Sequence, residues 1–484
     1  MHYDLLIRNA LLMDGSGQPG VHGDLAVRDG RIAALGPIDG SADVEVDALG
    51  RVLAPGFIDV HTHDDLEVIR QPQMPSKISQ GVTTIVVGNC GISASPVAAA
   101  GAVPDPMNLL GEPHEFRYPR FADYRAAVEA VAPAVNVAAL VGHTSLRQDQ
   151  MDRLDRAASD AEVAAMRAAL RESLAEGAIG LSTGLAYASA FSAPAAEVLA
   201  LAVELPTQRL YASHLRDEFD RIVPALDEAL AVSQLRGAPL RVSHLKCAGI
   251  DNWGRSREVL AWLDQAAHGH DVACDCYPYA ASASTLDQKQ VTDAYDILIT
   301  WSEAEPAQGG RLLADIAADW QVDLHEAARR LQPAGAVYHC MDEADVRRIL
   351  AHPLTMIGSD GLPRDPRPHP RLWGTFPRVL GHYARDEALF PLHTAVHKMT
   401  GLPAQRFDLD QRGKLQLGWH ADLVLFDPAR IRDTADYHDP IRAAEGIEAV
   451  WVNGALAYDG RQVIARAGRF LRPPPAATNE GASS

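Results

Sequence analysis

Between residue 53 and about residue 360, short apolar runs of strand length alternate with longer Ala-, Leu-, Glu- and Arg-rich stretches of helical period. The runs are Phe57–Val60, Thr83–Gly88, Val135–Gly142, Ala178–Ser182, Leu210–Ser213, Leu240–Ser243, Asp271–Asp275 and Leu354–Gly358. A strand followed by a helix, eight times over, predicts an α/β chain closed into a (β/α)8 barrel. The stretch 280–350 is too long for one crossover, so it reads as an excursion over the barrel mouth. Residues 362–382, rich in proline and arginine, read as an ordered loop.

The two ends of the chain have a different texture. Residues 1–52 alternate apolar and polar over short runs broken by Asp14-Gly15, Asp29-Gly30 and Gly36-Pro37, the punctuation of a small antiparallel sheet. The same texture returns at 413–472, so both ends are expected to pair into one small β-sandwich, with the barrel (53–412) inserted between its halves. A chain of 484 residues is long enough for such a second unit. The tail 473–484, PPPAATNEGASS, is expected to be disordered.

A formal charge of −19 with no basic stripe argues against a nucleic-acid partner. The N-terminal apolar patch is too short for a signal sequence, and no run reaches eighteen apolar residues, so no membrane association is expected. The five cysteines, Cys90, Cys247, Cys274, Cys276 and Cys340, form no disulfide framework, which points to a reducing cytoplasm. Nothing in the sequence specifies an oligomeric state.

In a barrel, reactive groups gather at the C-terminal ends of the strands. The first run ends in His61 and His63, whose alternate spacing puts both imidazoles on one face. The second ends in Cys90, the fifth in His214, the sixth in His244 and the last in Asp360. A thiolate with imidazoles suits a borderline metal such as zinc and leaves one position for water. Zinc lowers the pKa of that water toward neutrality, and a carboxylate such as Asp360 is suited to move its proton. Cys247, Cys274 and Cys276 read as packing residues.

These segments resemble the amidohydrolase superfamily and, within it, the N-acyl-D-amino-acid deacylases. The resemblance runs through PGFIDVHTHDD, SQGVTTIVVGNCGIS, NVAALVGHTSLR, GLSTGLAY, SHLRDE, SHLKC, DCYPY, GSDGLPRDPRPHPRLWGTFPRVLG and HADLVLFD. It implies a tightly held zinc on Cys90, His214 and His244. It also implies a weaker site at His61 and His63, with Cys90 as bridge and Asp360 as base. Lys246 and Arg371, helped by Tyr277, would bind the α-carboxylate of an N-acyl-D-amino acid, the expected small-molecule partner. The sequence departs from the pattern near Ala283, where a hydroxyl is expected, so Ser284 or Ser282 is the substitute. The stretches NWGRSRE, ITWSEAEP and PAGAVYHCMDEADV resemble the branch acting on N-acyl-D-glutamate and N-acyl-D-aspartate, for which Lys289 is the candidate cation. Rival readings are a deacylase for neutral Met- or Leu-type substrates, a cyclic-amide hydrolase of the hydantoinase type, and a non-catalytic scaffold on the same fold.

Overall fold

Eight short strands lie side by side in sequence order, and every neighbouring pair is parallel. The structure, a computed structural model, describes residues 1–99 and 101–473. The strands are Phe57–Asp59, Val82–Val87, Asn136–Ala139 (continued by Val141–Gly142), Gly180–Gly184, Leu210–His214, Leu240–Val242, Val272–Cys276 and Thr355–Ile357. Closure comes between the last and the first. The Asp360 N–H donates to the His61 carbonyl at 2.7 Å and the His63 N–H to the Gly361 carbonyl at 3.0 Å. That seam brings Asp360 against both histidines.

The strands are buried on both faces, as a barrel wrapped in helices requires. Ile58, Val86, Ala138, Ala212, Ala273 and Met356 form one cluster inside the barrel, joined by Leu402, Phe407 and Leu409. Alternate residues such as Ile85, Val87, Val137, Tyr211 and Val242 face outward into the helical layer. The helix Asp160–Glu176 shows how local sequence sets that layer. Ser159 and Glu162 close a capping box at its start, Gly177 ends it at φ +117°, and Met166, Leu170 and Leu174 bury one stripe.

The chain ends form one eight-stranded sheet: His2–Leu12, Val21–Arg28, Arg31–Gly36, Ser41–Asp47, Val52–Pro55, Leu423–Phe426, Ile447–Val452 and Ala455–Tyr458. It differs from the expected antiparallel sheet. Ser41–Asp47 and Val52–Pro55 both run parallel to the first strand, because each returns along the edge of that strand not taken by Val21–Arg28. The two halves join where Val52–Pro55 pairs antiparallel with Leu423–Phe426, so the sheet keeps Val52–Pro55 and the barrel begins after Gly56 rather than at 53. A Cβ on Gly56 would lie 2.2 Å from the Thr83 side chain, which forces glycine at this joint.

The excursion is smaller than 280–350. Ser282–Thr285, Ile297–Ser302 and Ala334–Tyr338 make a three-stranded antiparallel sheet, with the helices Leu313–Trp320 and Leu324–Leu331 between its last two strands. The following helix, Glu343–Ala351, packs Val346, Ile349 and Leu350 into the main core as an ordinary barrel helix. The expected tail lies, beyond Pro473, outside the described residues. Among the described residues no helix is long and apolar enough to cross a membrane, and all five cysteines are free and buried.

Candidate metal centre

The strand ends place the side chains by strict backbone geometry. Cys90 sits in the loop Gly88-Asn89-Cys90-Gly91 after the second strand. Gly88 and Gly91 have φ +78° and +75°, and a Cβ on Gly91 would lie 2.6 Å from the Gly184 nitrogen. Both glycines are required for the loop to press against its neighbours. Cys90, His244 and Asp360 are themselves left-handed at φ +53°, +36° and +49°. Such backbone costs about 1–3 kcal/mol per residue and persists only where the surroundings impose it.

The donor atoms converge. Cys90 Sγ lies 3.1 Å from His61 Nε2 and 3.2 Å from His244 Nε2, which is 3.0 Å from His214 Nδ1. Asp360 Oδ1 is 3.2 Å from His63 Nε2 and 3.5 Å from His61 Nε2. Two groups result: His61, His63, Cys90 and Asp360, and Cys90, His214 and His244. Within each, all ligand atoms lie within 4.8 Å of one another, and Cys90 belongs to both. Bonds of zinc length in tetrahedral geometry put neighbouring ligands about 3.3–3.7 Å apart, so the residues present fit such an ion.

The electrostatics single out Cys90. Burial pushes its thiol up, but the imidazolium charges of His61 and His244 outweigh burial and hold it well below the usual thiol range. Burial acts almost unopposed on Cys247 and Cys274 and pushes both up to about 12. The one low-pKa thiol among these three is therefore the one among imidazoles. Burial also opposes ionisation of Asp360, yet the Arg371 guanidinium and the nearby histidines keep its carboxyl well below the usual range.

The remaining expected residues fall in different places. Arg371 is 1% exposed, pairs through Nη2 with Asp360 Oδ2 at 2.9 Å, donates from Nη2 to the Ala283 carbonyl at 3.2 Å, and lies 4.5 Å above the Tyr277 ring. Its Nε and Nη1 are buried without partners among the described residues. The Tyr277 hydroxyl donates to Met341 Sδ at 3.7 Å. Ser284 is half-buried on the strand Ser282–Thr285, next to Ala283. Lys246 is committed inside the protein, with Nζ 2.6 Å from Glu218 Oε1 and 2.9 Å from His244 Nδ1. Lys289 is exposed, with its ammonium 4.9 Å above the Phe191 ring.

Three residues not anticipated as site residues complete the centre. Glu218 faces His244 Nδ1 at 3.1 Å and His214 Nε2 at 3.6 Å. Burial alone would raise its carboxyl, but Lys246 and the two histidines hold it far below the usual range. Lys77, fully buried, pairs with Asp59 at 2.8 Å and Asp64 at 3.2 Å, and donates to Thr62 and Ser359. Asp275 faces His61 Nδ1 at 3.2 Å. The signals were slight: Glu218 is four residues beyond His214, and Asp275 is a lone charge in an apolar strand. Nothing in the sequence marks Lys77.

The comparisons with known proteins agree with this geometry. A family model described as "Amidohydrolase family" matches residues 44–458. D-aminoacylase of Alcaligenes xylosoxydans xylosoxydans is 50% identical over 472 residues, 97% of either chain. N-acyl-D-aspartate deacylase of the same organism is 49% identical over 474 residues, 97% of this chain and 95% of that one. The crystal structure of N-acyl-D-glutamate deacylase from Bordetella bronchiseptica, complexed with zinc and a phosphonate inhibitor, superposes with a TM-score of 0.92 at 46% identity over 98% of this chain and all of that one. L-hydantoinase from Arthrobacter aurescens, at 17% identity and a TM-score of 0.60, shares the fold alone. From the strand-end donor set through the match over nearly its whole length, the chain belongs to the amidohydrolase family and, within it, to the D-aminoacylase group of linear-amide hydrolases.

Proposed function

We propose that this protein hydrolyses the amide bond of N-acyl-D-amino acids, releasing a carboxylate and a D-amino acid, with zinc held tightly by Cys90, His214 and His244. The observation that carries the reading is the buried Cys90 sulfur, shared by two groups of imidazole and carboxylate donors, in each of which the ligand atoms lie within 4.8 Å of one another. His61 and His63 supply the weaker second position. Zinc at this centre supplies a water of lowered pKa and polarises the scissile carbonyl. Asp360 takes the proton of the attacking water and delivers it to the leaving nitrogen. Arg371 turns its two unpartnered donors, Nε and Nη1, to the substrate carboxylate. Because the Lys246 donors face Glu218 and His244, Lys246 acts mainly on the histidine rather than on the substrate.

For the substrate side chain, preference for D-glutamate or D-aspartate derivatives requires a cation, and Lys289 is the only basic residue of 285–291. Relatives named for either acidic substrate support this branch. A neutral, Met- or Leu-type substrate is the second reading, favoured by the buried Met341 against Tyr277 and by Lys289 resting on an exposed aromatic ring.

The test is a turnover screen of N-acetyl-D- and N-acetyl-L-amino acids on purified protein, with zinc measured in parallel on wild type and Cys90→Ala. Wild type should hydrolyse the D series, and Cys90→Ala should lose zinc and activity together. Full zinc retention by Cys90→Ala overturns the ligand set. Comparing the Glu, Asp, Met and Leu derivatives on wild type and Lys289→Met separates the two side-chain readings.

A further inference from the structure

Asp275 sits on the seventh barrel strand, yet its carboxylate serves residues of two other strands. Oδ1 accepts the backbone N–H of His244 at 2.9 Å, at the end of the sixth strand. Both oxygens face His61 Nδ1, at 3.2 and 3.3 Å, at the end of the first strand. To reach His61 the side chain passes across the eighth strand at Gly358. A Cβ there would lie 2.6 Å from the His61 Cβ and 3.0 Å from Asp275 Oδ1. The crossing exists only because residue 358 is glycine.

We propose that Asp275 is a positioning residue for the weaker metal position, acting through His61. By accepting the hydrogen bond from Nδ1–H, Asp275 keeps the His61 proton on Nδ1, so that Nε2, the atom that faces Cys90 and Asp360, is the one that gives up its proton to a metal. A ligating histidine needs its second nitrogen held in this way. The tighter position has its own carboxylate, Glu218, which faces His214 and His244 and is charge-paired with Lys246. The two positions share Cys90 as donor, but their imidazole rings face different carboxylates. Asp275 reaches the tighter position only through the His244 backbone N–H, which an amide oxygen also accepts, so the two are separable by Asp275→Asn.

This inference rests on the zinc reading above, and the experiment tells the two apart. Zinc is titrated into wild type, Asp275→Asn and Gly358→Ala by equilibrium dialysis, with cobalt(II) spectra as a second readout of ligand geometry. Asp275→Asn keeps the shape and one acceptor for the His244 N–H but loses the charge that selects the tautomer. Its second-ion affinity should fall about 10–100-fold, the usual effect of removing such a partner, while the first zinc stays stoichiometric. Gly358→Ala alters no charge and should weaken the second ion in the same sense by displacing Asp275 from His61. Unchanged second-ion affinity in Asp275→Asn overturns the proposal, and so does loss of the first zinc together with the second. A wild-type protein that takes up one ion only also overturns it, leaving the hydrolase reading in place. Wild type without zinc refutes the metalloenzyme reading itself.

Discussion

Replacing Arg371 by Met keeps most of the stem's volume and removes the guanidinium, and the structure sets two distinct consequences. Nε and Nη1 are the buried donors left for a substrate carboxylate. A hydrogen bond to a charged group contributes about 1.5–3 kcal/mol, so two together contribute about 3–6 kcal/mol, or about 10²–10⁴-fold in kcat/KM, most of it in KM. The second consequence runs through Asp360, whose Oδ2 is 2.9 Å from Nη2. The Asp360 carboxyl is depressed in the wild type, in part by this guanidinium, so the base is ionised well into the acid range. Without Arg371 its pKa rises, and protonation silences it at a higher pH than before. The acid limb of kcat/KM should therefore move to higher pH. Arg371→Lys keeps charge without the bidentate fork, so it should show raised KM with the acid limb nearer to wild type. The assay is kcat/KM and KM for the best N-acetyl-D-amino acid from the lowest pH at which the wild type stays folded up to pH 9. A Met variant with KM within about threefold of wild type, or with its acid limb unmoved, refutes the assignment.

Asp360→Asn should lower kcat by about 10²–10⁴ while the tight zinc is retained, as expected for loss of the group that moves the proton; near-normal kcat would assign that step elsewhere. Lys77→Met strands Asp59 and Asp64 as buried charges, and breaking such a pair costs about 3–5 kcal/mol. Its denaturation midpoint should fall accordingly, and an unchanged midpoint would show that the network carries no stability.

The donor residues were legible because each ends an apolar run, and a barrel turns that one-dimensional position into a common direction. Cys90 stood out from the other cysteines by following a strand directly in a Gly-x-Cys-Gly loop. The supporting groups were not legible, because they act across the fold. Glu218 and Lys246 are 28 residues apart and meet at 2.6 Å, whereas Asp59 meets Ser359 from 300 residues away. Lys246 follows His244 by two residues, a spacing that on an extended backbone would turn both side chains to one side. The backbone does not stay extended: His244 turns at φ +36° and sends the ammonium to Glu218. The antiparallel expectation for the smaller sheet failed for a related reason. Alternation marks a half-buried strand without fixing which edge of its partner it joins.

The charges around the centre form a set of buried pairs. Lys77 answers Asp59 and Asp64, Lys246 answers Glu218, and Arg371 answers Asp360. Asp275 has no such cation: it accepts the His244 backbone N–H and faces the His61 imidazole, so the proton on His61 Nδ1 is the positive partner within its reach. This pairing shows how a protein of formal charge −19 can keep a cluster of carboxylates at its centre without a large local excess of negative charge. Glu218, Asp360, Asp59 and Asp64 each have a cation in contact, and surface charges more than about 10 Å away are screened by salt. On the proposed reading, a substrate carboxylate would pair with Arg371 Nε and Nη1, which are buried without partners among the described residues. Removing any single cation leaves a buried anion exposed to its neighbours, so charge-conserving substitutions such as Arg371→Lys separate recognition from stability where deletions would blur them.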